Sequence, residues 1–162
     1  MREFSILVVE DDDADVLLLR RAFTRASLRE SVHFVRSAEK AMDYLEGTAP
    51  FEDRAKYPFP NLVLVDLNMP GIDGFQLLRW LRTQFFGHGR PKIAVLTGSC
   101  RHQDFEHGHE LGADFCLNKT TDLNELVAVI KEMATGGKSR VSRPEGFRVQ
   151  GSGLRRRRGR GS

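Results

Sequence analysis

The apolar positions fall into two alternating textures. Phe4 to Val9 is a continuous run of mostly branched residues, too short for a helix, and fits a strand buried on both faces of a parallel sheet. Acids begin abruptly at Glu10. From Asp12 to Ala26 the texture changes: acids open the segment, as suits a helix N-terminus, and Val16, Leu19, Ala22, Phe23 and Ala26 recur at helical spacing. The same pair then repeats: strand at Val32 to Val35 and helix at Ala38 to Glu46, strand at Leu62 to Val65 and helix at Gly74 to Phe86, strand at Ile93 to Leu96 and helix at about Gln103 to Leu111. A weaker strand at Phe115 to Leu117 precedes a closing helix from near Asp122 to about Met133, where Asp122 and Glu125 have the offset of a capping box.

Five strand-helix units joined by right-handed crossovers predict an α/β domain with helices on both faces of an open, doubly wound parallel sheet. The expected strand order is 2-1-3-4-5, the flavodoxin-like arrangement. Glu46 to Asn61 is a longer connection containing Pro50, Phe51, Tyr57, Pro58, Phe59 and Pro60, which predicts a packed surface loop.

Composition sharpens the boundaries. At 162 residues and 40% hydrophobic content, the chain can bury one sizeable core without a metal or disulfide staple. Cys100 and Cys116 lie at no zinc-site spacing and read as reduced thiols. No apolar run approaches the roughly 20 residues of a membrane span, and Met1 to Asp11 lacks the pattern of a signal peptide, so a cytoplasmic location is expected. The net charge of +3 is unevenly spread. Lys138 to Ser162 holds nine basic residues and one acid, Glu145, a net of +8, which leaves 3 − 8 = −5 for the rest. Residues 1–135 are therefore expected to form the domain, and 136–162 a disordered basic Gly/Ser/Arg-rich tail. An acidic body argues against a nucleic-acid-binding surface and leaves polyanion contact to Arg155 through Arg160 alone, where it would be weak and salt-sensitive.

The chemistry lies at strand ends. In an open α/β sheet, ligands bind outside the carboxyl ends of the strands, where the strand order reverses. Glu10 and Asp11 end the first strand, Asp66 the third and Thr97 the fourth, while Lys119 follows the fifth. All five converge on one rim. Three gathered carboxylates repel one another unless a hard cation neutralises them, and an all-oxygen set suits Mg2+ or Mn2+. Beside such a cation Asp66 stays ionised and can attack phosphorus to give an acyl phosphate, with Thr97 and Lys119 meeting the remaining oxygens.

ILVVEDD, VDLNMPGIDG, VLTGS and the isolated Lys119 together resemble the four signature blocks of bacterial response-regulator receiver domains, over about Phe4 to Met133. The resemblance implies that Asp66 is the phosphoacceptor of a two-component phosphorelay, fed by a histidine kinase. It implies that Asp11, Asp66 and the Asn68 backbone carbonyl ligate the metal, with Glu10 acting through a metal-bound water. Thr97 would hydrogen-bond the phosphoryl group and Lys119 would pair with it. Such a protein is a self-phosphorylating and self-dephosphorylating acceptor rather than an enzyme, signalling by protein contact or homodimerisation through the fourth helix, fifth strand and fifth helix. Asp12 is expected to serve only the helix start.

The sequence departs from that pattern at two places. Thr120 stands where the family usually has Pro after the lysine, and a non-proline cis bond there would cost on the order of 3 kcal/mol. Cys116 occupies the usual aromatic switch position, beside Phe115, so no rotating aromatic switch is expected. The Glu46 to Asn61 loop and the Lys119-Thr120 pair resemble stand-alone regulators that serve phytochrome-type kinases. A Mg2+-dependent aspartyl phosphatase would use a second acid two residues past the nucleophile, and Asn68 stands there. A phosphorylation-independent scaffold, or a nucleic-acid binder working through the tail, is the further alternative. His102, Glu106 and His109 could share a helical face, with His107 and Glu110 nearby, yet a solvated polar surface explains them without zinc.

Overall fold

A computed structural model describes residues 4–29, 32–67, 69, 74–84, 89–98, 110–118, 124, 126–128, 130 and 131. The strands are β1 (Ile6–Val9), β2 (Val32–Val35), β3 (Leu62–Asp66), β4 (Lys92–Thr97) and β5 (Phe115–Asn118); the helices between them are α1 (Asp13–Arg25), α2 (Ala38–Glu46) and α3 (Gly74–Gln84). The described residues of 124–131 are helical as well. All strands are parallel, in the order β2-β1-β3-β4-β5. This is the predicted α/β architecture. The fourth helix is represented by Glu110 alone, and the proposed capping box at Asp122 and Glu125, like the tail at 136–162, lies outside the described residues.

Alternation along each central strand feeds two cores. Leu7, Val9, Val63, Val65, Ile93, Val95 and Cys116 join the apolar faces of α2 and α3, while Ile6, Val8, Leu62, Leu64, Ala94 and Leu96 join Leu19, Ala22 and Phe23 of α1 with Leu126, Val127 and Ile130. Both faces of β1 and β3 are thus dry, which is why these strands read as unbroken apolar runs. Covering both faces pins the sheet, because slipping a strand by one residue would exchange its two apolar sets.

The helices begin where their sequences say. Asp12 caps α1, its carboxylate accepting the Asp15 N–H at 2.9 Å, and Asp13 and Asp15 follow in the first turn. Ser37 caps α2. That helix closes on Gly47 at φ 71°, a left-handed position that a side chain would strain, with the Gly47 and Thr48 N–H groups returning to Asp43.

The long connection after α2 is packed, as its aromatics predicted. Tyr44 meets Phe51, Tyr57 and His33 with ring centroids 5.1, 5.9 and 5.7 Å away. Its hydroxyl donates to the Pro58 carbonyl at 3.0 Å, and burial pushes its pKa up to about 12. Arg54 reaches back to donate to the Tyr44 and Leu45 carbonyls, both at 2.8 Å, satisfying the last turn of α2.

Candidate metal centre

β1 and β3 are neighbours in register, Val9 opposite Val65, so the residues that follow them emerge side by side. This places Glu10 and Asp66 at one rim. A carboxylate oxygen from each of Glu10, Asp11 and Asp66 lies within 4.8 Å of the others. Glu10 is fully buried, Asp66 is 3% exposed, and Asp11 is half-buried.

Each acid is held differently. Glu10 remains tied to the sheet through its N–H, which donates to the Val35 carbonyl at 3.1 Å, and its Oε1 accepts the Asp12 N–H at 3.1 Å. Asp66 is the last residue of β3, and the chain after it stays paired, Leu67 N–H to the Leu96 carbonyl at 3.2 Å. Asp11 lies between strand and helix. Its backbone carbonyl accepts from Arg36, whose guanidinium also pairs with Asp13.

Gly74 makes the third side of this geometry. A Cβ at that position would stand 2.6 Å from the Asp66 carbonyl oxygen and 2.8 Å from the Leu67 Cα. The start of α3 is thus pressed against the backbone of the residue that carries the third carboxylate.

Two buried carboxylates and a third within 4.8 Å carry a large electrostatic cost, from lost hydration and from mutual repulsion. A hard divalent cation offsets both, and a set of three carboxylate oxygens matches the preference of Mg2+ or Mn2+. The residues present fit such a cation.

The structure therefore brings Glu10, Asp11 and Asp66 together as the strand-end argument expected. Thr97 ends β4, its backbone opposite Asn118, and its side chain lies outside the described residues. Asn68, Lys119 and Thr120 are also outside them, as are Cys100, His102, Glu106, His107 and His109. Cys116 is 5% exposed and faces the α2 and α3 side of β5, whereas Phe115 packs on the opposite core, the one that Leu126, Val127 and Ile130 join. Two residues at the rim escaped the sequence reading. Gly74 had a signal, being the glycine that opens the helix after VDLNMPGID; Arg36 had none beyond its place just after a strand.

The description that matches this chain, over residues 6–131, is that of the response regulator receiver domain. The chain belongs to that family. A similar receiver protein is response regulator Rcp1 of Synechocystis, 30% identical over 126 residues that make up 78% of this chain and 83% of the relative. Among solved structures, the phosphorylated cyanobacterial phytochrome response regulator RcpA is 27% identical with a TM-score of 0.67, covering 82% of this chain and 91% of its own. The Mn(2+)-bound form of Rcp1 is 28% identical with a TM-score of 0.66, covering 80% and 92%. The receiver match thus takes in the carboxylate cluster and the residues of both cores from Ile6 to Ile130.

Proposed function

We propose that this receiver domain accepts a phosphoryl group on Asp66 from a histidine kinase, in a reaction that needs a divalent cation. The observation that carries the reading is the gathering of Glu10, Asp11 and Asp66 at adjacent strand ends, two of them removed from solvent. Asp11, Asp66 and the Asn68 backbone carbonyl would ligate Mg2+, or Mn2+, with Glu10 joining through a water; that the solved Rcp1 relative binds Mn2+ supports this assignment. When bound, the cation supplies the positive charge that lets a phosphoryl oxygen approach three acids.

The remaining steps belong to the chain. An Asp66 carboxylate oxygen forms a bond to phosphorus as the phosphorus–nitrogen bond of the donor phosphohistidine breaks, and the imidazole leaves with its electron pair and takes up a proton. The rigid end of β3 holds the nucleophile, so little orientational freedom is lost at the moment of transfer. Thr97 and Lys119, at the ends of β4 and β5, are assigned to the other phosphoryl oxygens. The acyl phosphate is later lost to water, which returns the switch without making the chain an enzyme acting on external esters.

In this reading residues 1–135 form the receiver and 136–162 an appended basic tail, the location is cytoplasmic, and output is by protein contact, including self-association, through the fourth helix, fifth strand and closing helix. The phytochrome response regulator RcpA among its structural relatives supports a phytochrome-type kinase as the donor.

Intact mass after incubation with a small phosphodonor tests the chemistry, for the native chain and for Asp66→Ala, with Mg2+ or with chelator. A single hydroxylamine-labile phosphate that requires both Mg2+ and Asp66 is expected. A phosphate that persists in Asp66→Ala, or none in the native chain with Mg2+ bound, would reject the assignment.

A further inference from the structure

Of the three gathered acids, Asp11 is the one whose position the sheet does not dictate. Asp66 is a strand residue, and Glu10 keeps a strand-like hydrogen bond to Val35. Asp11 sits in the short turn between β1 and α1, half-buried, and its side chain must aim back toward the other two. What fixes its peptide comes from elsewhere in the chain. Arg36, the residue directly after β2, donates to the Asp11 backbone carbonyl at 2.9 Å. The same nitrogen of its guanidinium pairs with the Asp13 carboxylate. On the other side, the following N–H, that of Asp12, is held by the Glu10 carboxylate.

We infer that Arg36 is a positioning residue for the divalent-cation site, acting through the Asp11 backbone and never touching the cation. The inference rests on the metal-dependent reading given above. Holding the carbonyl sets the orientation of the Asp11 peptide, and with it the direction of the Asp11 Cα–Cβ bond. Pairing with Asp13 turns that nearby carboxylate toward the guanidinium and away from service as a stray ligand. The two contacts join the residue after β2 to the β1–α1 turn and to the first residue of α1.

The two roles a cation-adjacent arginine can play predict opposite signs. As a point charge, Arg36 repels a divalent cation, so its removal would tighten binding, most visibly at low ionic strength. As a positioner, its removal lets the Asp11 carboxylate wander and weakens binding. Residues that orient a metal ligand from outside its coordination set usually change affinity by ten- to a hundredfold when lost; the exposed setting of Arg36 puts it at the low end, about tenfold.

Mn2+ alone is the probe, its free concentration read by electron paramagnetic resonance at fixed ionic strength, with no phosphodonor present. Arg36→Met is expected to bind Mn2+ about tenfold more weakly than the native chain. Arg36→Lys, which retains a donor and the charge, is expected to fall between them. Urea melts in chelator check that both variants stay folded. Binding by Arg36→Met that equals or exceeds the native affinity would overturn the positioning role while leaving the metal site intact. No saturable binding by the native chain would overturn the metal-dependent reading, and this inference with it.

Discussion

At Gly74 the receiver's geometry leaves no room for a side chain. The hydrogen in place of its side chain lets α3 start against the backbone of Asp66 and Leu67, and both atoms that a Cβ would strike are main-chain atoms that cannot rotate aside. Gly74→Ala would gain up to about 1 kcal/mol from helix propensity, yet must push α3 off the strand end. Forced overpacking of this kind costs about 1 to 3 kcal/mol, so net destabilisation is expected, read as a lower urea midpoint. Because the displaced atoms belong to and adjoin Asp66, the proposed acceptor, the rate of phosphorylation by a small donor should also fall. A variant as stable as the native chain would show that α3 does not depend on that contact. Arg36 matters in a different way. Its contacts are exposed and contribute little to stability, but they bear on where one carboxylate points.

At the scale of elements, the described strands and helices were legible because the central strands are buried on both faces, and α1 and α2 open on residues whose side chains cap them, Asp12 and Ser37. The boundaries moved by a residue or two where polarity and hydrogen bonding part company: Lys92 and Thr97 are polar, yet their backbones belong to β4. The carboxylate cluster was legible from strand ends alone, since register between neighbouring parallel strands brings equivalent ends together. Arg36 was not, being 25 positions from Asp11 and joined to it only because β2 lies beside β1. The contact of Gly74 depends on how closely α3 crosses β3, which no local pattern encodes. β2 carries a further testable property. His33 is half-buried beside the rings of Tyr44 and Tyr57, and burial holds its pKa below the ordinary value. The unfolded chain therefore takes up that proton first as pH falls, so the His33 contribution is fully present above about 6.5 and is lost progressively below it. His33→Gln should lose less stability than the native chain between pH 7.5 and 5.5 in paired urea melts. An identical loss in both would assign the acid sensitivity elsewhere.

For the molecule as a whole, the buried carboxylates would make stability and the proposed cation binding one equilibrium. Without a cation the folded chain bears two carboxylates stripped of water and a third within 4.8 Å. Two unit charges about 4 Å apart repel by roughly 1 to 4 kcal/mol across the range from bulk water to a protein surface. Replacing Asp66 by the isosteric, neutral Asn removes that repulsion while keeping the shape of the strand end. In chelator, then, Asp66→Asn should be more stable than the native chain by an amount of that order. Adding Mg2+ should favour the native chain selectively, because a ligand that binds only the folded state stabilises it by about 2.7 kcal/mol at a hundredfold excess over its Kd. The variant, short of one ligand, gains less. Urea melts of the two proteins, with and without Mg2+, should accordingly show the stability gap shrink or reverse when the cation is added. Equal Mg2+ shifts in both would mean that the cation binds away from Asp66, and the three acids would then be a destabilising cluster with no cation to justify their burial.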